Sequence, residues 1–425
     1  MVRPQGPLWD TFARESLVHD WNREAVPALL PKLLDETLRD GLQSPSARDP
    51  SVAEKISLLH AMVTLGVDAA TIGMPSAGPK QHEHALRLAR EVATQRVPIS
   101  ISCAARTHVD DIAPIVTISQ SAGISIEACV FVGSSPIRQY VDDRDLAELQ
   151  RLTDRSVRFA RACDLPVMFI TEDSTRSTPD MLRALYTTAI RAGAQRVCIA
   201  DTVGHATPTG TARVVSFVSD LVAELDPRVR IDWHGHRDRG LSVANSLAAW
   251  LAGAERCHGT ALGVGERSGN TPMELLLVNL RLLGWSDRNL STLPRYTELA
   301  SRALSMPIAP HTPVAGRDAF RTATGVHASV LARASTKGEA VRDAVYSGVP
   351  AAMVGRMQQI EIGPMSGKSN VRQYLEQRGV AATDTVVARI LRSAKQADAL
   401  LREDDVMAMA AAPNHGSLEL RREAG

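Results

Sequence analysis

Short runs rich in Val, Ile, Leu and Cys recur along the chain. Each is followed by a longer stretch in which apolar residues return every three or four positions. The short runs predict eight strands: Lys32–Leu38, Val67–Gly73, Val97–Cys103, Ile124–Val132, Leu165–Thr171, Arg196–Ala200, Val229–Trp233 and Arg256–Leu262. Between them lie amphipathic stretches such as Val52–Leu65, Gln81–Val92, Asp145–Ala162, Pro179–Arg191, Thr209–Leu225 and Leu241–Ala252, many opened by Ser, Thr, Asp or Pro. Eight strand–helix units over about 250 residues predict an α/β fold, a closed (β/α)8 TIM barrel. A doubly wound sheet would carry fewer strands and a glycine-rich phosphate turn after the first. Here that turn reads Arg39-Asp40-Gly41-Leu42-Gln43, without it.

The chain has 425 residues, enough for one large domain and a smaller one. A formal net charge of +1, with 44% hydrophobic and 22% charged residues, gives no electrostatic case for nucleic acid or an anionic membrane, so small-molecule partners are expected. Five cysteines without C-x-x-C spacing argue against a disulfide framework and for a reducing cytoplasm. No signal-like stretch opens the chain, and no run is long and apolar enough to span a bilayer.

In a barrel of this kind, catalytic groups collect where strands end. Arg39 and Asp40 follow the first strand, Ser134 and Ser135 the fourth, Glu172 and Asp173 the fifth, and Asp201 and Thr202 the sixth. The seventh ends in His234 and His236, and Glu266, Arg267 and Asn270 follow the eighth. Alone, a His-x-His pair also suits a solvated loop. In a strand, however, residues i and i+2 share a face, and barrel closure makes strands seven, eight and one neighbours. Asp40, His234, His236 and Asn270 are therefore expected to converge on a divalent ion, Zn, Mn, Mg or Co, with positions left open for substrate. Arg39 reads either as a rim ion pair or as a group that polarises a carbonyl or holds an enolate. Thr202 reads equally as a helix cap or as a hydroxyl for a carboxylate. Cys129 reads as a core residue, and Asp142 to Asp145 as a solvated helix start.

Leu38-Arg39-Asp40-Gly41-Leu42-Gln43-Ser44-Pro45, Asp201-Thr202-Val203-Gly204, His234-Gly-His236-Arg-Asp-Arg-Gly240 and Gly263-Val-Gly-Glu-Arg-Ser-Gly-Asn270 resemble, in the same order, the motifs of the 2-isopropylmalate, homocitrate and citramalate synthase family. That family is related to hydroxymethylglutaryl-CoA lyase. The resemblance covers roughly residues 32 to 380, continuing through Gly316–Phe320, Thr324–His327, Tyr346, Gly355 and Ser366-Gly367, which look like the synthases' linking subdomain. It implies an N-terminal arm over 1–30 with Trp9, Phe12 and Trp21, a barrel over 31–290 and a smaller, mainly helical linking subdomain over 291–380. A helical segment and tail would fill 381–425, too short for the regulatory domain common in isopropylmalate synthases.

The implied reaction condenses acetyl-CoA with a 2-oxo acid and then hydrolyses the thioester. The first expectation for the oxo acid is 2-oxoisovalerate, ahead of the substrates of homocitrate-, citramalate- or phosphonomethylmalate-type synthases. By resemblance Arg39 stabilises the alkoxide, Thr202 contacts the oxo acid, and Glu172, His327 and Tyr346 serve acetyl-CoA, with His327 as the base. In this group the linking subdomain usually reaches over the partner's barrel, which implies a homodimer. Gln43, Ser135, Arg237 and Thr71 complete the expected substrate surroundings. Thr71 stands where the family usually carries glutamate, Cys129 where histidine is common, and Arg237 in place of asparagine. A lyase on the same scaffold would need no linking subdomain, and a non-catalytic binding protein would be expected to have lost Arg39 or the metal ligands.

Overall fold

The computed structural model describes residues 12, 17–19, 21–22 and 25–413. Most of the expected N-terminal arm, Trp9 included, and the tail beyond 413 lie outside the described residues. The chain divides into two compact units, residues 1–308 and 309–425.

In the first unit, eight parallel strands close on themselves in sequence order. They are β1 (Lys32–Asp35), β2 (Ala69–Thr71), β3 (Ser100–Arg106), β4 (Glu127–Gly133), β5 (Val167–Glu172), β6 (Arg196–Asp201), β7 (Arg230–Gly235) and β8 (Arg256–Gly259). All eight predicted strands form, and β8 pairs with β1 from Lys32↔Arg256 to Asp35↔Gly259. The eighth strand stops before the predicted Leu262. There the chain turns through Ala261–Gly263, with Leu262 in the left-handed region at φ 58°.

Ten helices are described in this unit, from α1 (Val52–Thr64), α2 (Pro79–Gln95) and α3 (Val109–Ala122) through α4 (Pro136–Asp142), α5 (Leu146–Ala162), α6 (Pro179–Ala192) and α7 (Pro208–Leu225) to α8 (Ser242–Leu251), α9 (Met273–Leu282) and α10 (Leu293–Leu304). Their starts follow local chemistry. Ser51 and Glu54 form a reciprocal capping box at α1. Asp145 caps α5 by accepting from the Glu148 N–H at 2.8 Å. That helix buries Leu149, Thr153, Ser156, Val157 and Ala160, one face at helical spacing. Helix α10 belongs to the barrel unit: the Tyr296 hydroxyl donates to the buried Asp35 carboxylate on β1.

An apolar belt of Leu34, Ala69, Cys129, Met168 and Cys198 crosses the barrel interior. Below and beside it lies an ion-pair network. Arg256 Nε meets Asp232 Oδ2 at 2.6 Å and Arg256 Nη2 meets Glu127 at 2.8 Å. Arg196 reaches Asp232 at 2.6 Å and Glu255 at 2.8 Å.

The second unit contains α11 (Gly325–Ser335), α12 (Glu339–Ala344), α13 (Lys368–Glu376), α14 (Asp384–Gln396) and α15 (Glu403–Ala411), with a two-stranded parallel ribbon of β9 (Arg321–Thr322) and β10 (Gln359–Ile360). Val371, Tyr374, Leu375, Val387, Ile390 and Val406 form its core. The predicted helical stretch 384–410 is two helices, broken at 397–402. All five cysteines are free. Among the described residues no helix is long and apolar enough to cross a membrane.

Candidate active site

A cavity of about 270 Å³ opens at the strand ends of the barrel. Of the residues expected from sequence, Arg39, Asp40, Gln43, Glu172, Thr202, His234 and His236 line it. Asp40 is the point of convergence: its Oδ2 lies 3.2 Å from His234 Nε2, 3.7 Å from His236 Nε2 and 3.7 Å from Arg39 Nη1. Asn270 sits beside His236 through a backbone bridge, and its side-chain Oδ1 is buried without a hydrogen-bond partner. A buried carbonyl oxygen left unpaired costs on the order of 1–3 kcal/mol unless something binds it. One carboxylate, two imidazoles and this amide oxygen fit a divalent cation.

The two imidazoles hold opposite protonation states. Burial opposes a charge on His234, but the carboxylates of Glu36 and Asp40 outweigh it and lift the imidazole to about 10. Burial and the neighbouring His234 charge press His236 down to about 4, so His236 stays neutral with one ring lone pair available.

The loop presenting Asn270 depends on glycine. Gly269 has φ 99°, and a Cβ there would collide with the Gly263 carbonyl, so the hairpin-like return from 263 to 270 closes only with glycine. The Asn270 N–H donates back to Gly263 O at 3.0 Å. Arg39 lies over the Phe131 ring at 5.5 Å, which fixes its plane beside Asp40. Thr202 Oγ1 accepts from the Asp173 N–H at 2.8 Å, leaving its own proton to donate. Burial pushes the Glu172 carboxyl up, with Arg138 and Arg39 opposing. His327 and Tyr346 lie in the second unit, where their rings pack at 4.2 Å and Tyr346 is half exposed.

Three expected substrate residues do not line the cavity. Arg237 is one position out of phase with His234 and His236; its Nε donates to Ser268 O at 2.6 Å, beneath the Gly263–Gly269 loop. Thr71 is buried under Glu36, 3.3 Å from Glu36 Oε1 and 3.1 Å from Ser102 Oγ. Ser135 caps α4, its hydroxyl accepting from the Arg138 N–H. Conversely, Glu36 and His258 line the cavity and were not singled out from sequence. The available signal was phase: Glu36 is two residues past the inward Leu34, and His258 two past Arg256. Arg267 pairs with Asp238, at 2.8 Å, while donating to Thr202 O at 2.6 Å.

The HMGL-like family profile matches residues 30–299. A 2-isopropylmalate synthase from Sulfurisphaera tokodaii is 30% identical over 368 residues, 86% of this chain and 90% of that protein. A probable 2-isopropylmalate synthase from Methanopyrus kandleri is 30% identical over 369 residues, 86% of this chain and 69% of its own length. In fold, hydroxymethylglutaryl-CoA lyase from Pseudomonas aeruginosa superimposes with a TM-score of 0.54 at 22% identity, covering 65% of this chain and 93% of the lyase. The corresponding lyase from Acinetobacter baumannii, solved with coenzyme A and 3-methylmalate, gives 0.55 at 20% identity, covering 65% and 92%. With its strand-end motifs gathered at one barrel mouth and these alignments, the chain belongs to the HMGL-like family and is a relative of its 2-isopropylmalate synthases.

Proposed function

We propose that this protein condenses acetyl-CoA with a 2-oxo acid, in the first instance 2-oxoisovalerate, and hydrolyses the thioester to give 2-isopropylmalate and CoA. The observation that carries this reading is the convergence of His234, His236 and Arg39 on Asp40. Synthase chemistry is favoured over cleavage because the synthase relatives align over 368 residues, beyond the 30–299 span of the family profile. Asp40, His234, His236 and Asn270 would hold a divalent cation, which would supply Lewis-acid polarisation of the oxo acid's carbonyl.

The chain's own groups do the rest. The Thr202 hydroxyl donates to the substrate carboxylate. His327, with Tyr346 beside it, takes a proton from the acetyl methyl group, and Glu172 serves the acyl-CoA. The methyl carbon bonds to the keto carbon, and Arg39 donates to the oxygen that gains the electron pair. Water then attacks the thioester, the C–S bond breaks, and CoA leaves as the thiol. The protein works as a cytoplasmic homodimer in this reading.

Thiol release from acetyl-CoA, followed against 2-oxoisovalerate, 2-oxoglutarate, pyruvate, oxaloacetate and a phosphonate-bearing oxo acid, tests it. Selective release with 2-oxoisovalerate is expected, abolished by chelation and restored by a divalent ion. No release with any acid on metal-loaded protein would overturn the condensation. A dianionic oxo acid is the second reading, resting on two guanidinium groups, Arg39 and Arg267, among the lining residues of the cavity; preference for 2-oxoglutarate, oxaloacetate or the phosphonate would select it. Arg39→Lys is expected to lower kcat by about 10²–10³-fold, because one amine cannot reproduce a fixed guanidinium donor. A kcat within tenfold of the parent would remove Arg39 from that role.

A further inference from the structure

His234 is addressed from both sides. Its Nε2 faces Asp40 at 3.2 Å, and its Nδ1 meets Glu36 Oε2 at 2.6 Å. Two sets of potential donors therefore share this ring, Asp40/His234/His236 through Nε2 and Glu36/His234/His258 through Nδ1. The second set is engaged by neighbouring side chains, although Glu36 Oε2 and His258 Nδ1 complete no well-aligned hydrogen bond of their own. Glu36 Oε1 accepts from the Thr71 hydroxyl at 3.3 Å, and Oε2 also lies 3.3 Å from His258 Nδ1. His258 Nε2 is spent on Asp232 Oδ2 at 2.9 Å, an oxygen held in turn by Arg256. Asn270, whose side-chain oxygen is unpaired, is bridged through its backbone to His236 of the first set.

We propose that Glu36 is a positioning residue for the metal centre. Its carboxylate fixes the tautomer and plane of His234 through Nδ1–H, so that the Nε2 lone pair faces the site, and His258 and Asp232 fix Glu36 from behind. A ligating imidazole whose other N–H is held by a carboxylate is both oriented and made more basic, and loss of such a partner typically weakens metal binding about 10- to 100-fold. All four side chains are buried, and three strands supply them: β7 gives Asp232 and His234, β8 gives His258, and Glu36 directly follows β1. The orientation is thus built into the barrel seam rather than a mobile loop.

This inference rests on Asp40, His234, His236 and Asn270 being the metal centre, and the test separates the two claims. Co²⁺ binding to the full chain would be followed by titration calorimetry and by the visible ligand-field bands, for the parent, Glu36→Gln, His258→Asn, Asp40→Asn and His236→Asn. Glu36→Gln is expected to bind Co²⁺ about 10- to 100-fold more weakly with shifted bands, His258→Asn to move both in the same direction by less, and Asp40→Asn to lose binding. Should Glu36→Gln fail to fold, His258→Asn carries the test, because it leaves Glu36 in place. Parent-like affinity and bands in both Glu36→Gln and His258→Asn, with binding still lost in Asp40→Asn, would overturn the positioning role alone. Loss of binding in Glu36→Gln and His258→Asn with retention in Asp40→Asn and His236→Asn would make Glu36 itself a ligand and overturn both.

Discussion

Asp40→Asn is expected to abolish tight binding of divalent metal and to lower kcat/KM for condensation by about a thousandfold or more, while the folded barrel is retained. Asp40 is the anionic member of the proposed ligand set; His236 and Asn270 are neutral, and His234 in the metal-free site is held cationic by the very carboxylates beside it. Asparagine keeps the volume but removes the charge that holds a dication. Lewis-acid stabilisation of developing charge is worth several kcal/mol, and about 4 kcal/mol is a thousandfold in rate. The substitution also releases Arg39 from its partner 3.7 Å away, so the group meant for the new alkoxide loses its placement at the same time. Metal content by elemental analysis, calorimetric titration and turnover would be read together, with circular dichroism as the control for folding. Retained metal at unit stoichiometry with near-parental turnover would refute the assignment.

Much of this site was legible because barrel closure is a strong constraint. Once eight strand–helix units are recognised, His234 and His236 share an inward face and Asp40 must come to them across β8, although about 190 residues of sequence intervene. What remained hidden follows from the same geometry. Polar positions alternating with apolar ones usually face water, so Asp232, Arg256, His258 and Glu36 read as unremarkable in their strands. In a closed barrel the alternate face is the interior, and polar residues survive there only by pairing with one another. Pairing partners on different strands, such as Arg256 with Glu127, lie 129 residues apart and have no local signature. Arg237 misled for the opposite reason: proximity to the histidines in sequence placed it near the site, while its odd phase turned it under the Gly263–Gly269 loop.

The paired interior predicts a stability effect as large as the catalytic one. Arg256→Met is expected to destabilise the barrel by about 3–5 kcal/mol, the usual cost of removing one partner from a buried ion pair. Arg256 is 5% exposed and Asp232 fully buried, so solvent cannot replace the lost guanidinium. Asp232 would keep Arg196 and His258, but the oxygen 2.6 Å from Arg256 Nε would lose its strongest donor, and Glu127 would lose its contact at 2.8 Å. Methionine fills much of the volume beside Met168, so the loss reports charge rather than a cavity. For a domain of this size the midpoint of thermal unfolding should fall by about 5–8 °C. Because Asp232 also holds His258, the same variant should loosen metal binding modestly, whereas a purely structural network would lower the midpoint and leave affinity alone. Adding Asp232→Asn to Arg256→Met should cost less than the sum of the two single changes, since the second removes a charge the first had stranded. Strict additivity, or a midpoint within about 1 °C of the parent for Arg256→Met, would show that the interior network is not coupled in the way its distances imply.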